Sequence, residues 1–323
     1  SVRICHASHV NLVVLGPGHP FRGGIATTTT EMVRSIRKRG HDATFLTPRR
    51  QYPGWLYPGR AGGKDPDACP RLEGTRPILD PLNPLAWPAA RSAALEAGAD
   101  AWIIPYWTWA WAGLWSFLLR GSRPPAVGVV HNPADHDSGP IRRAAARVVL
   151  GRCQALFTHA STLAQLVAET FPRVAISSYP LPATSTGGLP DSAEARRSLD
   201  LPPERRVAVF LGLIRPFMGV DLLLVAVASL PEHSDWFVVV AGEPWGPLGD
   251  QLRDRVAEPP LADRVRLELG WIADDRMRAL QAAADLVVLP YRSGSQSAIA
   301  PLVLSHGVPV LASAVGGLPE VVL

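Results

Sequence analysis

Short runs of β-branched and aliphatic residues alternate with helical patterns along almost the whole chain of 323 residues. Strands of a parallel sheet read as continuous apolar runs, because helices cover both faces of the sheet. The helices between them supply the crossovers that parallel pairing requires. The alternation therefore predicts an α/β fold of doubly wound parallel sheets. The predicted strands are 11–16, 43–47, 101–105, 126–130, 155–158, 174–178, 207–212, 236–242, 265–270, 285–290 and 308–312.

A segment rich in Pro, Gly, Ser and Thr, residues 181–192, has the composition of a linker. A chain of this length also favours two domains over one. We therefore expect two Rossmann-like domains, residues 1–180 and 193–323. Ligands of such folds bind beyond the carboxyl ends of the strands, and we expect the ligand in a cleft between the domains.

The composition, 47% hydrophobic and 19% charged, is that of a globular protein. The three cysteines have no disulfide or metal spacing, and the start of the chain has no signal-peptide pattern, so we expect a cytoplasmic protein. Residues 101–119 carry no charge and are long enough for a membrane span. Pro105 and five tryptophans interrupt that segment, which favours a buried strand, an aromatic loop and a helix from Ala112. The tryptophans are expected to line a cleft or to touch lipid headgroups.

Arginine accounts for most of the formal net charge of +4. Arg142, Arg143 and Arg147 lie close together on a predicted helix whose opposite side is apolar. Contact with an anionic membrane surface or an acidic substrate is one interpretation, and a solvated helix face is the other. Nucleic acid is not an expected partner, because aromatic residues do not alternate with these basic clusters.

Two glycines, Gly23 and Gly24, stand at the start of a helix that follows the first strand. Glycines at this place let a backbone approach a phosphate or a sugar closely, although a plain tight turn would also use them. The dinucleotide-binding fingerprint is not present, because the spacing of Gly16 and Gly18 is wrong and no acidic residue follows the second strand.

Most single histidines have a structural or incidental role, but His131 directly follows a buried strand, and this position raises the odds of a functional role. It forms no recognised metal spacing with Asp135, His136 and Asp137, and we expect no metal. Arg215 follows the first strand of the second half, where it could bind a phosphate in bidentate fashion or form a surface ion pair.

Five small or polar residues, 293–297, lie between the strand at 285–290 and a helical pattern. Such a turn exposes backbone N–H groups at the start of a helix, where an anion binds well. Gln296 and Ser297 are the candidate binding residues of this turn.

These segments occur in the order seen in family 4 glycosyltransferases of the GT-B fold, which the chain resembles over nearly its whole length. The resemblance rests on the Gly23-Gly24 loop, "HN" after a strand, "GLIRPFMGVDLLL", "VVVAGE", "DLVVLPYRSGSQSAI" and "GVPVLASAVGGLPE". Residues 49–60 and 79–87 look like a bacterial subgroup of that family.

The resemblance implies that a sugar passes from a nucleotide-diphosphate donor to a saccharide or lipid-linked acceptor, with retention of anomeric configuration and without metal or cofactor. It implies a role in bacterial cell-envelope or exopolysaccharide synthesis, in the cytoplasm or peripherally on the inner face of the membrane. The first domain would serve the acceptor, and the second would bind the nucleotide sugar. His131 would contact the transferred sugar as the catalytic residue.

The resemblance also assigns a donor-binding set. Gly23 and Gly24 would approach the phosphates and the sugar, and Arg215 with the amides around Gln296 and Ser297 would hold the diphosphate. Residues near the nucleoside would be Gly242, Glu243, Trp271 and Ile272.

Three positions depart from the family pattern. Met218 stands where the family has a phosphate-binding lysine, and Gly294 and Leu302 stand where it has two glutamates on the helix after "LPY". Losing one charge-assisted contact costs roughly 1.5–3 kcal/mol, which would weaken a donor site without abolishing it. The chain also ends soon after Glu320, where relatives continue with further helices, so we expect a truncated C-terminal end.

Three other functions stay open at this point. An inactive GT-B module that binds a sugar nucleotide or an active partner would explain the three departures. A sugar-nucleotide epimerase of the same fold would need no acceptor. A metal-dependent transferase of the other common fold would use Asp65 and Asp67, but two Rossmann-like halves argue against it.

Overall fold

The computed structural model describes residues 9–21, 23–51, 71–132, 139–183 and 187–322. The chain divides into two compact units, Ser1–Tyr179 and Pro180–Leu323, called unit 1 and unit 2 below. The first helix after the division begins at Ser192, at the end of the segment with linker composition.

Unit 1 contains a seven-stranded sheet in the order β3-β2-β1-β4-β5-β6-β7, and all its pairs are parallel. The strands are β1 (Asn11–Leu15), β2 (Asp42–Pro48), β3 (Arg76–Leu79), β4 (Ala101–Tyr106), β5 (Ala126–Val130), β6 (Ala155–Thr158) and β7 (Ala175–Ser178). The helices between them are α1 (Gly24–Lys38), α2 (Trp87–Glu96), α3 (Ala112–Leu118), α4 (Pro140–Leu150) and α5 (Ser161–Thr170).

Side chains that alternate along the strands of unit 1 separate its core into two layers. Val14 of β1 and Val33 of α1 belong to a small cluster on one face of the sheet. Val13 belongs with residues of α2, α3, α4 and α5 to a larger cluster on the other face. Helix α1 therefore covers one face of the sheet, and the four later helices cover the opposite face.

Tryptophans build much of the larger cluster. Trp102, Trp111 and Trp115 are fully buried, whereas the side chain of Trp109 is 43% exposed. The expectation that the tryptophans line a cleft or touch lipid headgroups is therefore wrong for these three, because their rings pack between the helices and the sheet. Helix α3 begins at Ala112, as predicted, and no helix among the described residues is long and apolar enough to cross a membrane.

Unit 2 contains a five-stranded parallel sheet in the order β10-β9-β8-β11-β12. The strands are β8 (Arg206–Leu211), β9 (Trp236–Gly242), β10 (Val265–Leu269), β11 (Leu286–Leu289) and β12 (Val310–Ala312). The helices are α6 (Ser192–Ser198), α7 (Val220–Ala228), α8 (Leu248–Val256), α9 (Asp274–Ala283) and α10 (Ile299–Ser305).

The strand order of unit 2 reverses direction between β8 and β11. From β8 the chain moves outward through β9 and β10, and it then returns to the other side of β8 as β11 and β12. The connections that leave β8 and β11 diverge, and such a switch point opens a crevice beyond the carboxyl ends of the two strands. The loops that follow β8 and β11 are therefore the first place to look for a ligand site.

The eleven predicted strands are all present, and the α/β fold with two parallel sheets is confirmed. The strand that sequence reasoning missed is β3. It lies at the edge of the unit 1 sheet, is four residues long and contains Pro77, which cannot donate a ladder hydrogen bond.

Candidate functional site

Direct contacts hold the loops after β8 and β11 together at the switch point. Gly219 has a φ of 68°, and a Cβ at this position would lie 1.9 Å from the carbonyl oxygen of Pro290. The backbone N–H of Arg292 donates to the carbonyl oxygen of Phe217 at 2.8 Å. The Arg292 guanidinium donates to both carboxylate oxygens of Asp221 at 2.5 Å each, which lowers the pKa of that carboxyl. These contacts fix the two walls of the crevice relative to each other.

Arg215 lies on the β8 side of this crevice. Backbone hydrogen bonds of 2.9 Å from Ile214 to Glu243 and from Trp245 to Ile214 fix the chain around it. The Arg215 guanidinium carbon lies 4.5 Å from the centroid of the Trp245 ring, within cation–π range. Its Nε atom is closed off from solvent and has no hydrogen-bond partner among the described residues. Of the two roles predicted for Arg215, an ion pair with a described carboxylate is not observed, and phosphate binding stays a prediction.

Gln296 lies on the β11 side of the crevice. Both polar atoms of its side-chain amide, Nε2 and Oε1, are buried and have no partner in the described part of the chain. A buried polar group without a hydrogen bond costs roughly 1–3 kcal/mol, and most such groups in proteins are paired. The Gln296 amide therefore has the hydrogen-bonding capacity of a ligand-binding group.

The Ser297 hydroxyl is used within the protein. It lies 3.3 Å from the hydroxyl of Tyr291 and accepts a hydrogen bond of 3.2 Å from the backbone N–H of Ile299, the first residue of α10. Its side chain thus fixes the start of α10. The predicted role of the backbone amides around Gln296 and Ser297 does not depend on this hydroxyl.

The four residues predicted near the nucleoside lie at the carboxyl ends of β9 and β10, on the same edge of the sheet. A Cβ at Gly242 would lie 1.6 Å from the carbonyl oxygen of Gly212, so the approach of β9 to β8 requires glycine there. Glu243, Trp271 and Ile272 are half-buried, and Ile272 packs against the core of unit 2. The structure thus gives Gly242 and Ile272 packing roles that the sequence did not indicate.

The three departures from the family pattern lie at different places around the crevice. Met218 ends a short 3-10 turn after β8 and packs against the apolar core of unit 2. Leu302 lies on α10 and is half-buried. Gly294 lies in the loop before α10, which begins at Ile299, so the two glutamate positions do not share one helix. The Gly294 carbonyl oxygen would lie 1.8 Å from a Cβ at Gly316, which explains the glycine at 316.

In unit 1, Gly23 and Gly24 form the start of α1. Gly23 has a φ of 106°, and a Cβ at this position would meet no atom within 4 Å. Its carbonyl oxygen accepts a hydrogen bond of 3.1 Å from the backbone N–H of Thr27, and the first turn of α1 contains no acidic residue. The N-terminus of this helix carries a partial positive charge and is accessible, which suits an anionic ligand.

His131 lies at the carboxyl end of β5, where its backbone N–H donates to the carbonyl oxygen of Tyr106 at 2.9 Å. The residue is 8% exposed, and its ring centroid lies 5.2 Å from that of His159. Burial, and secondly the charge of His159, lower the pKa of His131 to about 3. The imidazole is therefore neutral at pH 7, with one N–H donor and one acceptor nitrogen.

His159 is a candidate site residue that sequence reasoning missed. It directly follows β6, its Nδ1 lies 3.3 Å from the carbonyl oxygen of Tyr179, and burial lowers its pKa. Its buried Nε2 has no partner within the described ranges. A histidine directly after a buried strand is the signal that identified His131, and it could have identified His159 as well.

The predicted alternatives that involve metal fall on undescribed positions. Asp135, His136 and Asp137 lie outside the described residues, as do Asp65 and Asp67. Within the described ranges, no group of three or more His, Cys, Asp or Glu side chains could hold a metal ion.

Two family models match the chain, one for each unit. The model described as "Glycosyl transferase 4-like domain" matches residues 23–179, and the model described as "Glycosyl transferases group 1" matches residues 191–323. The chain is 39% identical over 143 residues to a D-inositol 3-phosphate glycosyltransferase of Mycolicibacterium gilvum, covering 43% of this chain and 31% of that protein. A protein of the same name from Salinispora tropica is 38% identical over 135 residues, covering 38% of this chain and 27% of the relative. The alignments thus span less than a third of the length of these curated relatives.

Solved structures share the fold at low sequence identity. Sucrose-phosphate synthase from Thermosynechococcus elongatus superposes with a TM-score of 0.74 at 18% identity, covering 96% of this chain and 83% of that one. Anabaena Alr3699/HepE in complex with UDP and glucose superposes with a TM-score of 0.71 at 14% identity, covering 98% and 83%. With one family model on each unit and this shared architecture, the chain belongs to the family 4, group 1 glycosyltransferases of the GT-B fold.

Proposed function

We propose that this protein transfers a sugar from a nucleotide-diphosphate sugar to a saccharide or lipid-linked acceptor. One observation carries the proposal: buried polar atoms of Arg215 and Gln296 have no protein partner in the described residues, and both follow strands that flank the switch point of unit 2. The oxygens of a diphosphate would accept hydrogen bonds from both groups. The neighbour Alr3699/HepE, whose structure holds UDP and glucose, supports a ligand of this class.

Charge development on the leaving diphosphate explains how these groups would act in the transfer. The diphosphate gains negative charge as the bond to the sugar breaks, and fixed donors stabilise that charge without reorganising. Arg215 would supply a permanent cation, and the Gln296 amide and the backbone N–H groups around Ser297 would supply dipoles. Gly23 and Gly24 would let the phosphates or the sugar approach the start of α1 in unit 1.

His131 would contact the transferred sugar as a neutral hydrogen-bonding group. Because its pKa is lowered to about 3, its imidazole would donate one hydrogen bond to a hydroxyl without carrying a charge at neutral pH. The family resemblance favours retention of configuration and catalysis without metal. Glu243 and Trp271 would lie near the nucleoside, with Gly242 and Ile272 shaping that end of the site.

The biological setting that we propose is cell-envelope or exopolysaccharide synthesis, with the protein in the cytoplasm or peripherally on the inner face of the membrane. The names of the curated relatives add a phosphorylated inositol as a second candidate acceptor. A second candidate function is a catalytically inactive module that binds a sugar nucleotide, and Met218, Gly294 and Leu302 are the residues that favour it.

Calorimetric titration of the purified chain with UDP, GDP, ADP and dTDP, without added metal, tests the donor site. We expect one nucleotide to bind and the Arg215→Ala variant to bind it at least about tenfold more weakly, as expected for loss of a charge-assisted contact. Sugar conjugates of the nucleotide that binds would then be assayed for transfer. If none of the four binds to a folded sample, the donor-site proposal is wrong.

The Met218→Lys variant separates the two candidate functions. If the phosphate pocket is intact, a lysine at this position adds a charge-assisted contact, and we expect tighter nucleotide binding. Tighter binding with no transfer to any acceptor would favour the inactive module.

A further inference from the structure

A groove between helices α2 and α3 of unit 1 lies away from the candidate site. Its volume is about 700 Å³, and its lining comes from α2, from the end of α3 and from the turn that follows α3. The groove lies toward the amino-terminal edge of the sheet, because this turn comes just before β5 begins. The candidate site residues of unit 1, such as His131, follow the carboxyl ends of strands instead. The groove, called the α2–α3 groove below, is therefore a second place where unit 1 could hold a ligand.

Two arginines line the α2–α3 groove. Nη2 of Arg91 donates to the carbonyl oxygens of Arg120 and Ser122 at 2.8 and 2.9 Å, and its Nε is buried with no partner in the described part of the chain. The Arg120 guanidinium carbon lies 3.7 Å from the centroid of the Phe117 ring, and this exposed side chain donates no hydrogen bond to a described residue. A guanidinium has five N–H donors. The Nη1 group of Arg91 and all the donors of Arg120 thus remain available to a ligand.

Two further arginines extend the positive charge beyond the groove. Arg123 follows the turn that holds Arg91, and its Nη2 donates to the carbonyl oxygen of Arg152. Nη1 of Arg152 donates to the carbonyl oxygen of Ser116 at 2.6 Å. Burial lowers the pKa of Arg123, and the charges of Arg152 and Arg91 lower it as well. Arg123 is thus close enough to both neighbours for their like charges to repel it.

No carboxylate among the described residues balances these four charges. None of the four arginines forms an ion pair there. Glu96, the one carboxylate of α2, accepts a hydrogen bond from the Ser92 hydroxyl at 2.8 Å instead. The carbonyl oxygens that fix the guanidinium groups carry only partial charges, so the surface around the groove is strongly positive.

A structural role accounts for only part of this cluster. Arginines near the end of a helix can donate to its last carbonyl oxygens. Arg152 does so at Ser116, and Nε of Arg123 donates to the carbonyl oxygen of Leu119 at 3.2 Å, directly after α3. The Arg120 side chain does not serve the helix in this way. Its charge stands over the groove with only the Phe117 ring beside it.

We propose that the α2–α3 groove binds a soluble organic phosphate. The phosphate oxygens would accept hydrogen bonds from Arg91 and Arg120, because guanidinium donors match pairs of phosphate oxygens. The carbon part of the ligand would pack against Pro88 and Leu95, the aliphatic side chains of the lining. All these residues belong to unit 1, whereas the proposed diphosphate contacts of Arg215 and Gln296 belong to unit 2.

Calorimetric titration of the full chain with phenyl phosphate, inorganic phosphate and phenol tests the proposal. We expect phenyl phosphate to bind more tightly than inorganic phosphate, because its ring buries apolar surface, and phenol not to bind. Binding should weaken as salt screens the arginines. No binding of phenyl phosphate to the folded chain would overturn the proposal. Binding to phosphatidylglycerol vesicles without binding to phenyl phosphate would show that the arginines meet a lipid surface, and would overturn it as well.

A single arginine variant locates the phosphate. Arg120→Gln removes a side chain that donates no hydrogen bond to the described residues, so the fold should persist, and phenyl phosphate should bind about tenfold more weakly. The matched control, Arg39→Gln, removes the same charge from an exposed position at the end of α1, which covers the opposite face of the sheet. An equal loss in both variants would show that net charge alone attracts the anion, and would contradict a built site.

Hydrogen exchange separates the groove from the donor site, where a phosphate could also bind. We expect phenyl phosphate to protect residues 117–123 in the parent chain and in Arg215→Ala, but not in Arg120→Gln. Protection that appears only in the loops of unit 2 and disappears in Arg215→Ala would place the phosphate in the donor site, and the groove proposal would be wrong. Because no sugar donor is used, failure of the groove proposal would leave the transferase proposal standing.

Discussion

Replacing Gln296 by leucine should make the protein more stable and a weaker binder of nucleotide. The two polar atoms of its amide are buried without a partner among the described residues, which costs roughly 1–3 kcal/mol. Leucine has a similar size and removes that cost, so Gln296→Leu should be neutral or should stabilise unit 2 by about 1–2 kcal/mol. Loss of the amide should weaken nucleotide binding by about tenfold to a hundredfold, the effect of one charge-assisted hydrogen bond.

A second buried glutamine of the same unit provides the control for this substitution. Gln281 is 1% exposed, and its Oε1 lies 2.8 Å from Nδ1 of His306. An amide oxygen only accepts hydrogen bonds, so the His306 N–H is the donor. Gln281→Leu removes this acceptor and should destabilise unit 2 by roughly 1–3 kcal/mol, the opposite sign to Gln296→Leu.

Hydrogen exchange of peptides from β8 and β11 measures the stability of unit 2 separately from that of unit 1. Nucleotide binding is measured by calorimetry on the same samples. If Gln296→Leu destabilises unit 2 as much as Gln281→Leu does, the Gln296 amide has a structural role and is not held unpaired for a ligand. If stability rises and nucleotide binding is unchanged, the amide does not contact the donor.

Three further predictions concern backbone strain and pH. Gly219→Ala should lower the thermal midpoint more than Gly246→Ala does. The additional loss in free energy of unfolding should be roughly 2 kcal/mol. Both glycines have positive φ, but a Cβ at 219 would lie 1.9 Å from a backbone oxygen and one at 246 would meet nothing within 4 Å. The folded pKa of His131 is depressed to about 3, so the unfolded chain binds the extra proton as pH falls below 6.5. Stability should therefore fall by about 1.4 kcal/mol per pH unit from 6.5 toward 3, and urea unfolding of His131→Asn should show a shallower fall. The hydrogen bond from Arg292 lowers the pKa of Asp221 in the folded protein. The pair therefore stabilises the protein at pH values above the pKa of Asp221 in the unfolded chain. This stabilisation is lost as the pH falls through the pKa of Asp221 in the folded protein. With side chains 43% and 62% exposed, Asp221→Asn should cost no more than about 1 kcal/mol at pH 7, and the urea midpoints of variant and parent should converge in acid.

Hydrophobic runs predicted the sheets of this protein because strands buried on both faces have few polar residues. The pattern identified β8 to β12 and six strands of unit 1, but it could not identify β3, whose edge position tolerates Pro77. The hydrophobic pattern also could not predict which tryptophan rings are buried and which are exposed. An aromatic segment has the same composition whether its rings pack inside, as Trp111 does, or reach solvent, as Trp109 does.

The sequence predicted which residues of the candidate site follow the ends of strands, but it did not predict the contacts between the loops. Parallel strands bring their carboxyl ends to one edge, so Arg215 and Gln296 could be expected on the same edge from sequence. The contact between Arg292 and Asp221 joins residues 71 positions apart, and no local pattern predicts it. The Ser297 hydroxyl bonds to Tyr291, a contact that depends on the path of the loop between them.

The close approaches among the loops of unit 2 limit how the proposed donor site can change. The loop after β8 touches the end of β11 at Gly219, and the loop after β12 touches the loop after β11 at Gly316. The backbone N–H of Gly317 also donates to the carbonyl oxygen of Ser295 at 2.9 Å. The backbone path of each loop thus depends on the loop beside it. A segment from a relative that replaced residues 293–297 alone would contact neighbouring loops whose backbone fits the original segment. If these loops form the proposed donor site, we expect a change of donor preference to need all three loops to be exchanged together.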